Sequence, residues 1–261
     1  VIRLADWSKI AERITEFIRR FVESAGAQGV IVGISGGVDS VTTAFLCVRA
    51  LGRDRVLGLI MPEKGVTRDE DIRDAIDVCR KLNIEYRYIE INEIVESFLR
   101  NLDKGDMIPV ANLKPRIRMT INYYYANLLN YVVAGTGNKS EIACGYFTKW
   151  GDGAADFFPI GDLYKTEVFE LARFLGVPER IIDKKPSSGL WVGQTDEEEL
   201  GISYERLDGI LKALERGMSS DEIVEKLRFD RREVERVLDL MERSRHKREL
   251  PPIIRLRDLL D

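Results

Sequence analysis

The sequence predicts a three-layer α/β/α fold with an open, mainly parallel sheet and a helical C-terminal region. Two observations carry this. Short β-branched runs alternate with amphipathic helical stretches up to about residue 135, and beyond about residue 196 the pattern is almost wholly helical. Such alternation suits crossover units, because a strand returns to pair in the same direction only through a covering connection.

A first helix is expected over residues 6 to 24, where Ile10, Ile14, Phe17, Ile18 and Phe21 recur on one face and Gly26 and Gly29 end the run. GVIVGI at 29 to 34 reads as a buried strand, too short for a helix and enclosed by glycine. The next helix starts near Asp39. VLGLI at 56 to 60 gives a second strand, followed by a helix over about 69 to 82, the strand IEYRYI at 84 to 89 and a helix through 91 to 100. A loop around Gly105 and Pro109 leads into a helix from roughly 115 to 130, and YVVAG at 131 to 135 supplies another core strand. Tyr123, Tyr124 and Tyr125 cannot all face one side of that helix, so their surface suits either the core or a symmetric interface.

Residues 141 to 160 mix aromatics, glycines and acids and read as a binding loop with short extended pieces. Helicity returns over about 162 to 174, and an irregular loop surrounds Pro186, Ser187, Ser188 and Gly189. Thr195 with Glu198, and Ser219 with Glu222, have capping-box spacing, in which each side chain satisfies a free amide at a helix start. A last long helix is expected from about 230 to 246, before Pro251 and Pro252 enforce extended chain. With no internal repeat and no clear linker, residues 1–261 are expected to form one domain, its helical portion at about 196–250.

Composition narrows the function classes. A hydrophobic share of 44% and a charged share of 32% suit a soluble globular protein. No run approaches the roughly 20 apolar residues that span a bilayer, and the first residues lack a signal-peptide pattern, so no membrane partner and a cytoplasmic location are expected. Cys47, Cys79 and Cys144 are too scattered for a zinc pair or a disulfide framework and read as small core residues. A formal charge of −4 gives no reason to expect a nucleic-acid partner. The basic groups at Lys114, Arg116, Arg118 and at Arg243, Arg245, Lys247, Arg248 are either solvated surface or ligand contacts.

GISGGVDS at 33 to 40 is the strongest chemical signal. Its glycines permit a tight turn whose amides approach phosphate, and the following helix start adds a partial positive field. Ser35 and Ser40 can donate hydroxyl hydrogen bonds. Asp39 would repel phosphate unless a cation intervenes, which makes it a candidate magnesium ligand. The loop is neither a GxGxxG nor a Walker pattern. It resembles the SGGxDS loop of ATP pyrophosphatases, which cut ATP between its α and β phosphates.

The resemblance becomes specific to the NAD synthetase family at NLKPRIRM (112–119), GTGNKSE (135–141), FTKWGDGAADFFPIGDLYKTEV (147–168), KPSSGLWVGQTDEEELG (185–201) and SRHKRELPP (244–252), in order over nearly the whole chain. It implies an adenine-nucleotide α-hydrolase-like fold in which Gly33, Ile34, Ser35, Gly36, Gly37, Val38, Asp39 and Ser40 surround the ATP phosphates. Asp39 and Glu141 would hold magnesium; Thr136, Lys165 and Ser187 would contact ATP. Ser187 stands where many relatives carry threonine, and the hydroxyl survives that difference. Lys165 near a helix start opposes the helix dipole, a small argument for function over placement.

For a dinucleotide acid the resemblance implies Arg116, Lys149, Asp156, His246 and Lys247. His246 is the sole histidine, which argues against a His-based zinc site; the resemblance implies a homodimer, and whether His246 acts in its own subunit or reaches a partner's site stays open. The implied reaction is amidation of deamido-NAD by ammonia through an NAD-adenylate, giving NAD, AMP and pyrophosphate. Asp39, Glu141 and Lys165 would carry catalysis. Ammonia rather than glutamine is expected because no amidase-like region precedes the first helix, and a separate ammonia-producing partner stays open. Two alternatives stay open as well: another SGGxDS-loop enzyme acting on a different carboxylate or on RNA, and a catalytically silent nucleotide-binding protein.

Overall fold

The computed structural model describes residues 5–256. Its sheet comprises β1 (Gly29–Gly33), β2 (Val56–Ile60), β3 (Glu85–Tyr88) and β4 (Tyr131–Ala134), all parallel, in the spatial order β3-β2-β1-β4. Helices α1 (Trp7–Ser24), α2 (Val38–Leu51) and α3 (Asp69–Leu82) cover one face, while α4 (Asn92–Arg100) and α5 (Met107–Leu129) cover the other. Past β4 come α6 (Lys139–Cys144), α7 (Lys165–Leu175), which packs beside α1 and α2, and α8 (Glu179–Ile182).

The alternation of β1 shows why the sheet needs both layers. Val30 and Val32 face the α1–α2 side, whereas Ile31 packs with Ile117 and Ala126 of α5. All three are 0% exposed, and burying such side chains contributes about 1.5–3 kcal/mol each. The chain leaves β1 towards β2 and β3 and returns on its other side as β4. The crossover direction therefore reverses between β1 and β4, which places a crevice at their carboxyl ends, where ligands bind in open α/β sheets. Register makes the neighbours explicit: Val32 lies opposite Ala134, so the loops beginning at Gly33 and Gly135 open side by side.

The binding loop is pinned to that edge. Gly135 N–H donates to Phe157 O at 2.8 Å and Asp156 N–H to Val133 O at 3.0 Å, an extended piece of the expected kind. Beyond it, α9 (Asp196–Leu200), α10 (Tyr204–Glu215), α11 (Ser220–Leu227), α12 (Arg231–Arg243) and α13 (Arg245–Arg248) build a second core. Leu207, Ile210, Ile223, Val234 and Val237 there enclose Cys144 and Tyr164, so the helical region closes over α6 and the start of α7. No described helix is long and apolar enough to cross a membrane.

Four expectations need correction. The helix expected from 115 begins at Met107: Asp106 caps it by accepting the Ile108 N–H at 3.1 Å, and Pro109 falls within the first turn, where a missing N–H costs nothing. The helix expected from 162 begins at Lys165. Thr195 occupies the cap position of α9, but its hydroxyl makes no cap hydrogen bond among the described residues, unlike Ser219, which accepts the Glu222 N–H at 3.2 Å. The last long helix breaks at Ser244, whose hydroxyl donates back to Leu240 O at 2.7 Å and whose side chain packs on Gly145. The cysteines are buried, as expected.

Candidate active site

The loop at 33–40 is held in shape by its own hydrogen bonds. Ser40 Oγ accepts the Ser35 N–H at 3.1 Å and donates to Gly37 O at 3.0 Å, while Ser35 Oγ accepts the Gly37 N–H at 3.3 Å. Gly36 has φ +86°, and a Cβ there would lie 2.2 Å from Asp71 O, so glycine is required twice over. Lys184 Nζ, 3.4 Å from Gly36 O and 2.8 Å from Asp71 Oδ1, ties the loop to α3 from the other side.

At the mouth of this loop three predicted residues converge. Asp39 stands in the first turn of α2, Glu141 in that of α6, and Lys165 opens α7. Lys165 Nζ lies 2.5 Å from Asp39 Oδ2 and 3.6 Å from Glu141 Oε1. Its side chain is 2% exposed, which excludes a solvated surface lysine. Burial disfavours the Lys165 charge, but the carboxylates of Asp39, Glu141 and Asp196 outweigh it and raise its pKa. Glu141 is pushed well above the usual carboxylate range by burial and by the nearby Asp39 charge, against the pull of Lys165.

Two further residues complete the cluster, and neither was singled out from sequence. Asn138, 0% exposed, donates from Nδ2 to Asp39 Oδ1 at 2.9 Å and accepts the Glu141 N–H at 3.0 Å, so one amide fixes both acids. Its signal was readable: Asn138 and Glu141 form a capping box, with the Asn138 N–H returning to Glu141 Oε2 at 3.2 Å. Asp196, 3% exposed, accepts hydroxyl hydrogen bonds from Tyr146 at 3.1 Å and from Ser188 and Tyr204 at 3.2 Å. Burial raises its pKa, opposed by Lys165 and Tyr146.

The donor set suits magnesium. Asp39 and Glu141 share the Lys165 ammonium, and their carboxylates are hard oxygen donors, while no group of three metal-ligating side chains gathers among the described residues. Magnesium commonly takes one or two carboxylates and completes its shell with phosphate oxygens and water. Thr136 lies on the loop after β4, beside the phosphate loop by the strand register, and Ser187 is exposed, its Oγ accepting the Gly189 N–H at 3.2 Å.

A second group gathers farther out. Exposed Arg116 donates from Nε to Lys149 O at 3.2 Å, and Lys149 Nζ reaches His246 O at 2.6 Å and lies 3.4 Å from its Nδ1. Residues from α5, the 145–158 loop and α13 thus form one chain of contacts. Lys247 is turned inward, donating to Gly145 O and Phe147 O at 2.7 Å each, and its ammonium sits over the Phe147 ring. Asp156, itself exposed, accepts the Val133 N–H at 2.7 Å and the Tyr123 hydroxyl at 3.3 Å. Trp150 holds φ +64°, an uncommon conformation for a bulky side chain, and is 51% exposed.

A nucleotide-binding α/β protein with a buried acid–ammonium cluster at its sheet switch point is the class that this fold and site define. The family model for NAD synthase matches residues 10–251, and the chain belongs to that family. It is 60% identical over 255 residues to the NH(3)-dependent NAD(+) synthetase of Archaeoglobus fulgidus, covering 98% of this chain and 100% of the relative. It is 52% identical over 251 residues to the NH(3)-dependent NAD(+) synthetase of Methanocaldococcus jannaschii, covering 94% and 95%. Among solved structures, the NH3-dependent NAD synthetase of Campylobacter jejuni matches with TM-score 0.84 at 36% identity, over 97% of this chain and 100% of that one. The NMN synthetase of Francisella tularensis matches with TM-score 0.86 at 35% identity, over 96% and 99%.

Proposed function

We propose that the chain is a carbon–nitrogen ligase that amidates deamido-NAD with ammonia at the expense of ATP. The convergence of Asp39, Glu141 and Lys165 on one point beside the phosphate loop carries this reading. In the first step the nicotinate carboxylate attacks the α-phosphate: a carboxyl O–P bond forms, the bond to the β-phosphate breaks, and pyrophosphate leaves. Loop amides and the Lys165 ammonium would stabilise the charge that grows on the departing oxygen. Magnesium, held by Asp39 and Glu141, would supply further neutralisation of the phosphates. Ammonia then attacks the acyl carbon, the C–O bond to AMP breaks, and one proton is released.

No side chain needs to act as a covalent nucleophile, because ATP provides the leaving group. The protein's contribution is alignment and exclusion of water from a hydrolysable intermediate. Arg116, Lys149, Asp156, His246 and Lys247 would hold the dinucleotide acid, Thr136 and Ser187 would hold ATP, and residues 1–261 would work as one cytoplasmic synthetase domain. The exposed Tyr124 and Leu128, 63% and 62% accessible on α5, favour a homodimer over an isolated chain.

The likeness to an NMN synthetase favours testing a second acceptor, the nicotinate mononucleotide. Purified protein is incubated with magnesium ATP, an ammonium salt and either acid, and amide product, AMP and pyrophosphate are quantified together. One-to-one-to-one yield with deamido-NAD supports the reading. A preference for the mononucleotide replaces the acceptor, and no ATP cleavage by folded protein removes the enzymatic reading altogether.

A further inference from the structure

We propose that Asp208, on α10, is a positioning residue that, through Ser140, sets the Lys165 ammonium between Asp39 and Glu141. The proposal rests on the functional reading above but goes beyond the ligand-contacting set. Asp208 is 1% exposed, and its two oxygens serve two different helix starts. Oδ1 accepts the Ser140 hydroxyl at 2.5 Å, and Oδ2 accepts the Thr166 N–H at 2.9 Å. Ser140, 0% exposed, in turn accepts the Lys165 N–H at 2.9 Å. Both opening amides of α7, which no helical carbonyl can satisfy, therefore end on one carboxylate.

The grip falls next to the reacting machinery. Ser140 immediately precedes Glu141, and Lys165 immediately precedes Thr166. A lysine at a helix start sits in an unfavourable field, and a carboxylate at the same start offsets it. That carboxylate is itself costly: burial pushes the Asp208 pKa up, and the bonds from Ser140 and Thr166 draw it back. An apolar side chain would fill the second core without that cost but would leave α6 and α7 free to slide relative to each other.

Asp208→Asn, Ser140→Ala and the double variant test this with two readouts. One is the acylation rate of Lys165 by an amine reagent, read by peptide mass spectrometry; the other is ATP–pyrophosphate exchange dependent on deamido-NAD. Asp208→Asn is expected to raise Lys165 labelling several-fold and to lower exchange about 10- to 100-fold, as misplacement near 1 Å does, with KM for ammonium unchanged. Ser140→Ala moves both readouts the same way, and the double variant is no worse than Asp208→Asn, because the two act in one relay. Parental labelling in both single variants overturns the positioning role, whatever happens to turnover. If Asp208→Asn does not fold, Ser140→Ala decides by the same labelling criterion. Absence of exchange in the parent protein counts against the functional reading, while the labelling still judges the relay.

Discussion

The two groups of predicted residues differ in how they are held. Around Asp39, Glu141 and Lys165 each side chain opens a helix, is buried or half-buried, and is tied by a neighbour such as Asn138 to a second element. Around Arg116, Lys149 and His246 the side chains are exposed or partly exposed and meet mostly through backbone carbonyls of the 145–158 loop and the short α13. The first arrangement is preorganised for one geometry of charge, whereas the second can be completed by whatever it binds.

Substitutions should separate the two groups. The largest effect is expected for Lys165→Met, which leaves Asp39 and Glu141 facing each other without their shared ammonium. Turnover should fall about 10²- to 10³-fold, the scale for losing a preorganised charge partner, while calorimetric binding of deamido-NAD changes little. A variant that keeps a tenth of parental turnover would remove Lys165 from the chemistry. Next comes Gly36→Ala, whose Cβ meets Asp71 O and whose φ of +86° is strained for alanine. A loss of about 1–3 kcal/mol is expected in denaturant unfolding, with a raised KM for ATP. Arg116→Ala, on an exposed side chain, should leave unfolding unchanged and raise KM for the dinucleotide acid about tenfold with kcat nearly constant, the signature of lost uniform binding. Equal losses in kcat and kcat/KM would instead place Arg116 in the transition state and erase the contrast between the groups.

The preorganised group was also the more legible. The strands and the loop at 33–40 follow from short buried runs and glycine, and their side-by-side placement follows from parallel crossover topology, so Asp39 is legible from residue types, whereas the GTGNKSE segment with Glu141 is legible only through the family resemblance. Asp196 was not, because it heads a run of four acids that reads as a solvated helix start, and only packing by Tyr146 and Tyr204 turns it inward. Asp208 was missed for a related reason: in YERLDGIL a single acid falls on the apolar stripe of an otherwise ordinary amphipathic helix. The early start of α5 was hidden by Pro109, since proline reads as a breaker unless the cap at Asp106 is seen. Periodicity reports faces, and the partners across a face come from tertiary structure.

Behind the phosphate loop, Asp74 offers a smaller test of the same stiffness. Its side chain is 7% exposed and pairs with Arg180 Nε at 2.6 Å and with the Lys184 ammonium. Burial alone would raise the Asp74 carboxyl, but hydrogen bonds from Lys184 and Arg180 outweigh it and hold it below the ordinary range. A carboxyl whose folded pKa is depressed stabilises the protein above its unfolded value, near 3.9. That contribution is lost as pH falls through the folded pKa, because the folded state must then take up a proton it resists. Asp74→Asn should cost about 1–3 kcal/mol at pH 7, the cost of leaving buried partners unpaired. The gap between variant and parent should narrow as pH falls below about 4. Unfolding curves across that window decide the matter: a gap that stays constant means that Asp74 acts by shape rather than charge. The lysine that braces Gly36 would then be held by Asp71 instead.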